Sequence, residues 1–271
     1  MPELPEVETT CRGIRPHVTG TVLRTVVVRN PRLRVPVPEN LNTLAGGRQL
    51  DAVTRRAKYI LFDFSVGTLI VHLGMSGSLR VVAADEPAGV HDHVDLVFGQ
   101  QAVRLRDPRR FGLVTWQAGD ALQHPLLARL GVEPLVPEFD GHYLHRMCQS
   151  RRTPIKHMLM DGHRVVGVGN IYASESLFRA GIHPLEPAGK LSLQQCERLV
   201  ETVREVLTAA IEAGGSTLRN FVGGDGQPGY FQQYYSVYGR KDQPCHQCGT
   251  PVQRIVTGQR ATFFCPHCQA L

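Results

Sequence analysis

The spacing of apolar residues changes partway along the chain. From about residue 21 to residue 120, apolar and polar positions tend to alternate, the two-residue period of half-buried strands. Residues 21–28 are rich in valine. Residues 59–64 and 68–73 flank Val66-Gly67 as the arms of a hairpin would, and residues 92–98 and 102–106 flank Gly99-Gln100-Gln101 in the same way. His93-Val94-Asp95-Leu96 and Val103-Arg104-Leu105-Arg106 alternate strictly, as antiparallel strands with one face in a core do. Several short strands at this spacing predict a sandwich or barrel. A helix from Pro5 to Ile14 precedes them, with proline at a first-turn position where its missing N–H leaves nothing unsatisfied.

After a proline-rich passage, Val132-Glu-Pro-Leu-Val-Pro-Glu138, the period becomes helical. The clearest helix starts at Ser192, with Gln195 placed for a capping box, and runs to Gly214-Gly215. Leu199, Val200, Val203, Val206, Leu207, Ala210 and Ile211 form its apolar stripe, which reads as core packing. The pattern therefore predicts an α+β chain, with a β-rich N-terminal domain, a linker, and a helical C-terminal domain.

Composition narrows the class. The chain has 271 residues, 42% hydrophobic and 20% charged, which excludes a disordered, collagen-like or disulfide-dependent miniature protein. No apolar run is long enough to span a membrane, and the acidic start Met-Pro-Glu-Leu-Pro-Glu-Val-Glu does not read as a signal peptide. A formal charge of +6 points only weakly to a polyanionic partner.

Cysteine placement says more. Cys11, Cys148 and Cys196 are scattered, as buried or indifferent thiols would be. Cys245, Cys248, Cys265 and Cys268 form a C-x2-C-x16-C-x2-C pattern, the spacing of one tetrahedral zinc held by two knuckles. Residues 254–257 and 261–264 read as a hairpin between them, around Gly258-Gln259. His246 and His267 are spectators, because four sulfurs complete the shell. Four thiolates on one Zn²⁺ leave a charge of about −2, so bulk charge becomes a still poorer guide.

The location of the basic residues matters more than their number. They cluster as Arg55-Arg56-Ala-Lys58, Arg104-Leu-Arg106-Asp-Pro-Arg109-Arg110, Arg151-Arg152 with Lys156, Arg240-Lys241, and Arg260. Any one cluster is more often a solvated surface than a binding site; several converging on one cleft would make a groove that tracks phosphates. Val166-Gly-Val-Gly-Asn170 precedes a helix at 171–180, as at an anion-binding helix start. Pro2 follows the initiator methionine, whose removal is expected and would expose a secondary amine. Such an amine titrates near pH 8, attacks carbonyl-like carbon and forms an iminium, and Glu3 beside it can move protons.

In order along the chain stand Pro2-Glu-Leu-Pro-Glu-Val7, Arg56-Ala-Lys58-Tyr, His72-Leu-Gly-Met75-Ser-Gly, His91-Asp-His-Val-Asp-Leu, Asp107-Pro-Arg-Arg-Phe-Gly112, Gly169-Asn-Ile-Tyr-Ala-Ser-Glu-Ser-Leu-Phe178, Val237-Tyr-Gly-Arg240 and the four-cysteine hairpin. Together they closely resemble the bacterial formamidopyrimidine-DNA glycosylase family over essentially the whole chain. The resemblance implies an antiparallel β-sandwich with flanking helices over residues 1–131 and a linker at 132–138. A helix–two-turns–helix domain would occupy 139–234 and a zinc finger 235–271.

By the same resemblance, Pro2 would be the nucleophile on the sugar C1′ and Glu3 the acid assisting ring opening. Lys58 would serve β-elimination, and Arg260 would grip the phosphates flanking the lesion and serve δ-elimination. His91, Arg109, Arg151, Lys156 and Asn170 match DNA-contacting positions. Met75, Arg109 and Phe111 match the wedge that fills the gap left by a flipped base. The glycine-rich stretch from Gly214 to Gly229 resembles a loop closing over that base, with Asn220 where aspartate is common. The implied partner is duplex DNA carrying an oxidised base, met by a monomer in the cytoplasm, at the nucleoid. An endonuclease eight-type enzyme acting on oxidised pyrimidines and a non-catalytic zinc-finger DNA-binding protein are the rivals.

Overall fold

The structure, a computed structural model, describes residues 1–216 and 231–271. Most of the glycine-rich stretch, Asn220 included, lies outside the described residues. The chain divides into two compact units.

The first unit comprises Met1–Arg129 and the described residues from Ala213 to Ser216. Its elements are α1 (Leu4–Val18), β1 (Val22–Leu23), β2 (Thr25–Val28), α2 (Leu41–Ala45), β3 (Arg48–Gln49), β4 (Ala52–Arg56), β5 (Tyr59–Phe64), β6 (Gly67–His72), β7 (Ser78–Ala83), β8 (Asp92–Phe98), β9 (Gln101–Arg106) and β10 (Leu113–Ala118). Two antiparallel four-stranded sheets, β10-β6-β5-β4 and β2-β8-β9-β7, form a sandwich. One core joins Phe62, Leu69 and Val71 of the first sheet, Leu96, Val103 and Leu105 of the second, and Val7, Cys11 and Ile14 of α1.

The expected strand over 21–28 is two strands. Arg24 separates β1, which pairs with β3, from β2, which joins β8. Helix α1 continues past Ile14 to Val18 with Pro16 inside it, at the cost of the one i→i−4 hydrogen bond that proline cannot donate.

Arg104 of β9 is fully buried, and its guanidinium donates to both carboxylate oxygens of Asp95 at 2.9 Å. It also donates to the Glu86 and Pro87 carbonyls, at 2.9 and 3.3 Å, and so pins the loop that leads to His91. A buried guanidinium is tolerable only with this degree of hydrogen bonding.

The second unit contains α3 (Gly141–Cys148), α4 (Ile155–Leu159), α5 (Asn170–Ala180), α6 (Leu193–Glu212), β11 (Gln253–Thr257) and β12 (Arg260–Phe264). The capping box of α6 forms as expected: Ser192 N donates to Gln195 Oε1 at 2.9 Å, and Gln195 N to Ser192 Oγ at 3.2 Å. Gly141 lets α3 lie directly on α6, since a Cβ there would sit 2.3 Å from Glu197 Cγ. The proline-rich passage is tied into this unit, with Val132 bridged to Val165 and the Val136 and Phe139 carbonyls accepting Arg204 Nη2 at 2.8 Å. No helix among the described residues is long and apolar enough to cross a membrane.

The four terminal cysteines converge, all sulfurs lying within 4.8 Å of one another. Cys245 and Cys268 sulfurs are 3.9 Å apart, Cys248 and Cys265 sulfurs 3.5 Å. A tetrahedron with metal–sulfur bonds of about 2.3 Å has edges of about 3.8 Å, so the cluster fits one Zn²⁺. Gln247 N and Cys268 N each donate to a knuckle sulfur at 3.4 Å, as thiolates require. His246 and His267 are exposed and outside the cluster. The purified protein should contain one equivalent of zinc. Removing it with a chelator should abolish amide-exchange protection across residues 245–268 and leave the sandwich strands protected; retained protection at the hairpin would show that the metal is not structural.

Candidate active site and nucleic-acid interface

In the first unit, the chain start is built into the fold. Glu3 caps α1, and its N–H donates to Glu6 Oε2 at 2.8 Å. The other oxygen of Glu6 accepts Ser216 N at 2.8 Å, and Glu6 is only 3% exposed. Pro2 is buried. Burial lowers the pKa of the terminal amine, Lys58 and Arg109 lower it further, and Glu3 and Glu6 oppose them. That amine belongs to Met1; the Pro2 nitrogen becomes a secondary amine once Met1 is cleaved.

Lys58 occupies the two-residue turn between Arg56 and Tyr59, where β4 meets β5. Across the sheet, Tyr59 pairs with His72 of β6, their rings 4.9 Å apart. His72 Nδ1 accepts Gly74 N at 2.9 Å. Burial, with Arg34 and Lys58 nearby, pushes the His72 pKa down to about 4, so the ring is neutral at physiological pH.

Two turns present the residues expected to form a wedge. Met75 and Phe111 are 43% and 44% exposed, unusual for large apolar side chains, and the Arg109 guanidinium lies 4.8 Å from the Phe111 ring centroid. Gly74, at φ +63°, lets the first turn touch the second: a Cβ there would meet the Phe111 carbonyl carbon at 2.4 Å. Buried Asp107 shapes the second turn, accepting Arg109 N at 3.3 Å and Gly112 N at 2.7 Å. Asp107 N donates to the His91 carbonyl at 2.9 Å, and His93 Nε2 lies 2.9 Å from the Asp107 carbonyl oxygen. His91, half-buried, therefore stands beside the base of the wedge.

In the second unit, exposed Arg260 begins β12 opposite Thr257, next to the Gly258-Gln259 tip. The carbonyl of its neighbour Ala261 accepts Asn170 Nδ2 at 2.9 Å and Lys156 Nζ at 3.4 Å. Lys156 also donates to Thr262 Oγ1 at 2.7 Å and is 1% exposed, so its ammonium is engaged with the hairpin. Asn170 is the first residue of α5, and Arg151 is exposed.

Three residues were not singled out in the sequence. Glu6 had a signal, since Glu3 and Glu6 have capping-box spacing. His72 and Glu175 stood inside quoted motifs without a distinguishing pattern. Glu175, buried on α5, accepts the N–H groups of Ser236, Val237 and Tyr238 at 2.8, 3.0 and 2.8 Å. It thereby fixes Tyr238, whose hydroxyl lies 3.5 Å from Asn170 Nδ2.

Known proteins share this arrangement. Residues 1–114 match the formamidopyrimidine-DNA glycosylase N-terminal domain and residues 130–222 the formamidopyrimidine-DNA glycosylase H2TH domain. Residues 242–271 match the zinc finger found in FPG and IleRS, which agrees with one zinc in the four-cysteine cluster. A formamidopyrimidine-DNA glycosylase of Aromatoleum aromaticum is 68% identical, covering 99% of each chain. A Lactococcus lactis FPG variant in complex with Fapy-dG-containing DNA superimposes with a TM-score of 0.93 at 32% identity, covering 100% of both chains. The wild-type Lactococcus lactis protein with DNA containing an oxidised pyrimidine gives 0.91 at 32% identity, again over 100% of both. With all three parts matched in order and near-complete coverage by relatives of one kind, the chain belongs to the formamidopyrimidine-DNA glycosylase family.

Proposed function

We propose that this protein is a bifunctional DNA glycosylase and abasic-site lyase of base-excision repair, removing oxidised purines such as 8-oxoguanine and formamidopyrimidines from duplex DNA. The observation that carries the reading is the buried Pro2 beside buried Glu3, at a chain start that Glu6 ties down through the N–H groups of Glu3 and Ser216. With Met1 gone, the Pro2 nitrogen attacks C1′; the C1′–N bond to the damaged base breaks and its electron pair leaves with the base. Glu3 donates a proton to the ring oxygen, and the opened sugar is held as an iminium. Loss of the C2′ proton then expels the 3′ phosphate, the β-elimination assigned to Lys58. A second elimination, assigned to Arg260, expels the 5′ phosphate and leaves a one-nucleotide gap.

The remaining residues serve the substrate. Met75 and Phe111 fill the space left by the extruded base, and Arg109 donates to the base left without a partner. His91, Arg151, Lys156 and Asn170 hold the backbone, Lys156 by fixing the hairpin beside Arg260. Residues 1–131 carry the nucleophile and the first elimination; residues 139–234 and the zinc finger at 235–271, joined through 132–138, hold the duplex, and the finger adds Arg260 for the second elimination. The protein works as a monomer in the cytoplasm, at the nucleoid where its substrate lies. A second reading, excision of oxidised pyrimidines, is favoured by the pyrimidine-lesion complex of the Lactococcus lactis relative. Paired assays on 8-oxoguanine and thymine-glycol duplexes distinguish them, the first being cut faster.

Borohydride should trap a covalent adduct between damaged duplex and the chain beginning at Pro2, and none with a chain that retains Met1. Cleavage by the processed chain without any trapped species would rule out the iminium. Because the reactive form is the unprotonated amine, the trapping rate should rise with pH and level off once the Pro2 amine is deprotonated. A rate independent of pH would show that this protonation does not gate the attack. Arg109→Ala should weaken the preference for cytosine opposite the lesion by about tenfold, the scale of one lost base contact; unchanged discrimination would remove Arg109 from that role.

A further inference from the structure

Lys58 is presented by a turn whose shape its own residues do not favour. Ala57, the first turn residue, is buried at φ +54°, a region that glycine enters freely and an L-alanine Cβ opposes. Its neighbour Arg55 holds it there. Arg55 Nη1 donates to the Ala57 carbonyl oxygen at 3.0 Å, and Arg55 Nε donates to Glu8 Oε2 at 3.0 Å. Glu8 stands on α1, and its other oxygen accepts Arg12 Nε at 3.0 Å. Burial resists ionisation of Glu8, yet the hydrogen bonds from Arg12 and Arg55 bring its carboxyl below the ordinary pKa, so the pair remains charged.

The same helix is laced to β4 at two further points. Arg15 Nε donates to the Val53 carbonyl at 3.0 Å, and the Cys11 thiol to the Thr54 carbonyl at 3.5 Å. Helix α1 begins one residue after Glu3. A chain of direct bonds thus runs from the helix that carries Pro2 and Glu3 at its start, through Glu8 and Arg55, to the peptide preceding Lys58. The Arg55 side chain is only 11% exposed, and its charge is directed inward although it belongs to a basic cluster.

We propose that Arg55, backed by Glu8, is a positioning residue for Lys58: it fixes the left-handed Ala57 turn to α1 and so sets the lysine amine relative to the Pro2 nucleophile. The proposal rests on the assignment of Lys58 to β-elimination. Prealigned groups gain rate by losing little freedom at the reacting step, which is what such a brace supplies.

The test uses the zinc-loaded, full-length protein with Met1 removed, acting in single turnover on a duplex containing a preformed abasic site. Arg55→Met should slow β-elimination about tenfold, the scale of a modest misalignment, with KM unchanged. Glu8→Gln, which keeps the shape and one acceptor oxygen, should slow it less. Arg55→Lys should fall between wild type and Arg55→Met, because an ammonium lacks the guanidinium fork.

Lys58→Ala should leave a residual rate that adding Arg55→Met lowers no further, since the arginine acts through the lysine. An equal loss in the Lys58→Ala background would mean general disruption and would overturn the proposal. So would a raised KM with the salt slope of binding reduced by about one, the signature of a direct phosphate contact. Unchanged elimination in both Arg55→Met and Glu8→Gln would overturn it as well. Full β-elimination by Lys58→Ala alone would instead remove the lysine assignment, and the proposal with it.

Discussion

A reactive group at a chain end must be kept still in the part of a protein that ordinarily frays first. Here the Glu6 carboxylate meets that constraint. One oxygen takes the N–H of Glu3 and the other the N–H of Ser216, closing a link across 210 residues of sequence inside the first unit. Both donors are backbone groups, one before a helix and one after a glycine pair. Gly215 allows the approach, since a Cβ at its φ of +79° would stand 3.3 Å from Glu6. From this anchor α1 runs down onto the core and along β4, an edge strand that it protects from pairing elsewhere.

The charges follow a division that the net figure of +6 conceals. Arg104 is committed to Asp95 and two loop carbonyls, Arg55 to Glu8, and Lys156 to the zinc hairpin. Each of these cations braces a segment that bears another candidate residue: Arg104 the loop before His91, Arg55 the turn bearing Lys58, Lys156 the strand bearing Arg260. Of those three, Arg260 is exposed, and His91 and Lys58 are half-buried. Part of the positive charge therefore serves to shape the backbone.

What could be read from the sequence was what has a short period or a fixed spacing. Two-residue alternation located β8 and β9, the Val66-Gly67 turn located β5 and β6, and the Ser192–Gln195 pair located the start of α6. The spacing of Cys245, Cys248, Cys265 and Cys268 located the metal cluster. Met75 and Phe111, ordinary core residues by composition, were recognisable as a wedge only through the motifs around them. Residues whose meaning depends on a distant partner were not legible. β4 was hidden because Arg55 and Arg56 read as surface charge until Glu8, 47 residues away, is seen to pair with Arg55. Lys156 gave no local sign that its ammonium would reach Thr262, 106 residues on. Glu175 gave no sign that three consecutive N–H groups beyond residue 235 would converge on it.

The wedge shows why this rigidity is needed. Two large apolar side chains held in water raise the free energy of the unbound protein, and free turns would fold them back against the surface. They stay out because their turns have no alternative shape. Gly74 sits in van der Waals contact with the Phe111 peptide, and Asp107 occupies both of its oxygens with Arg109 and Gly112 amides. The Arg109 guanidinium over the Phe111 ring further restricts the second turn. In the proposed reading such a surface opens a stacked duplex because it does not deform first: the apolar area exposed before binding would be covered between base pairs afterwards, offsetting part of the unstacking energy.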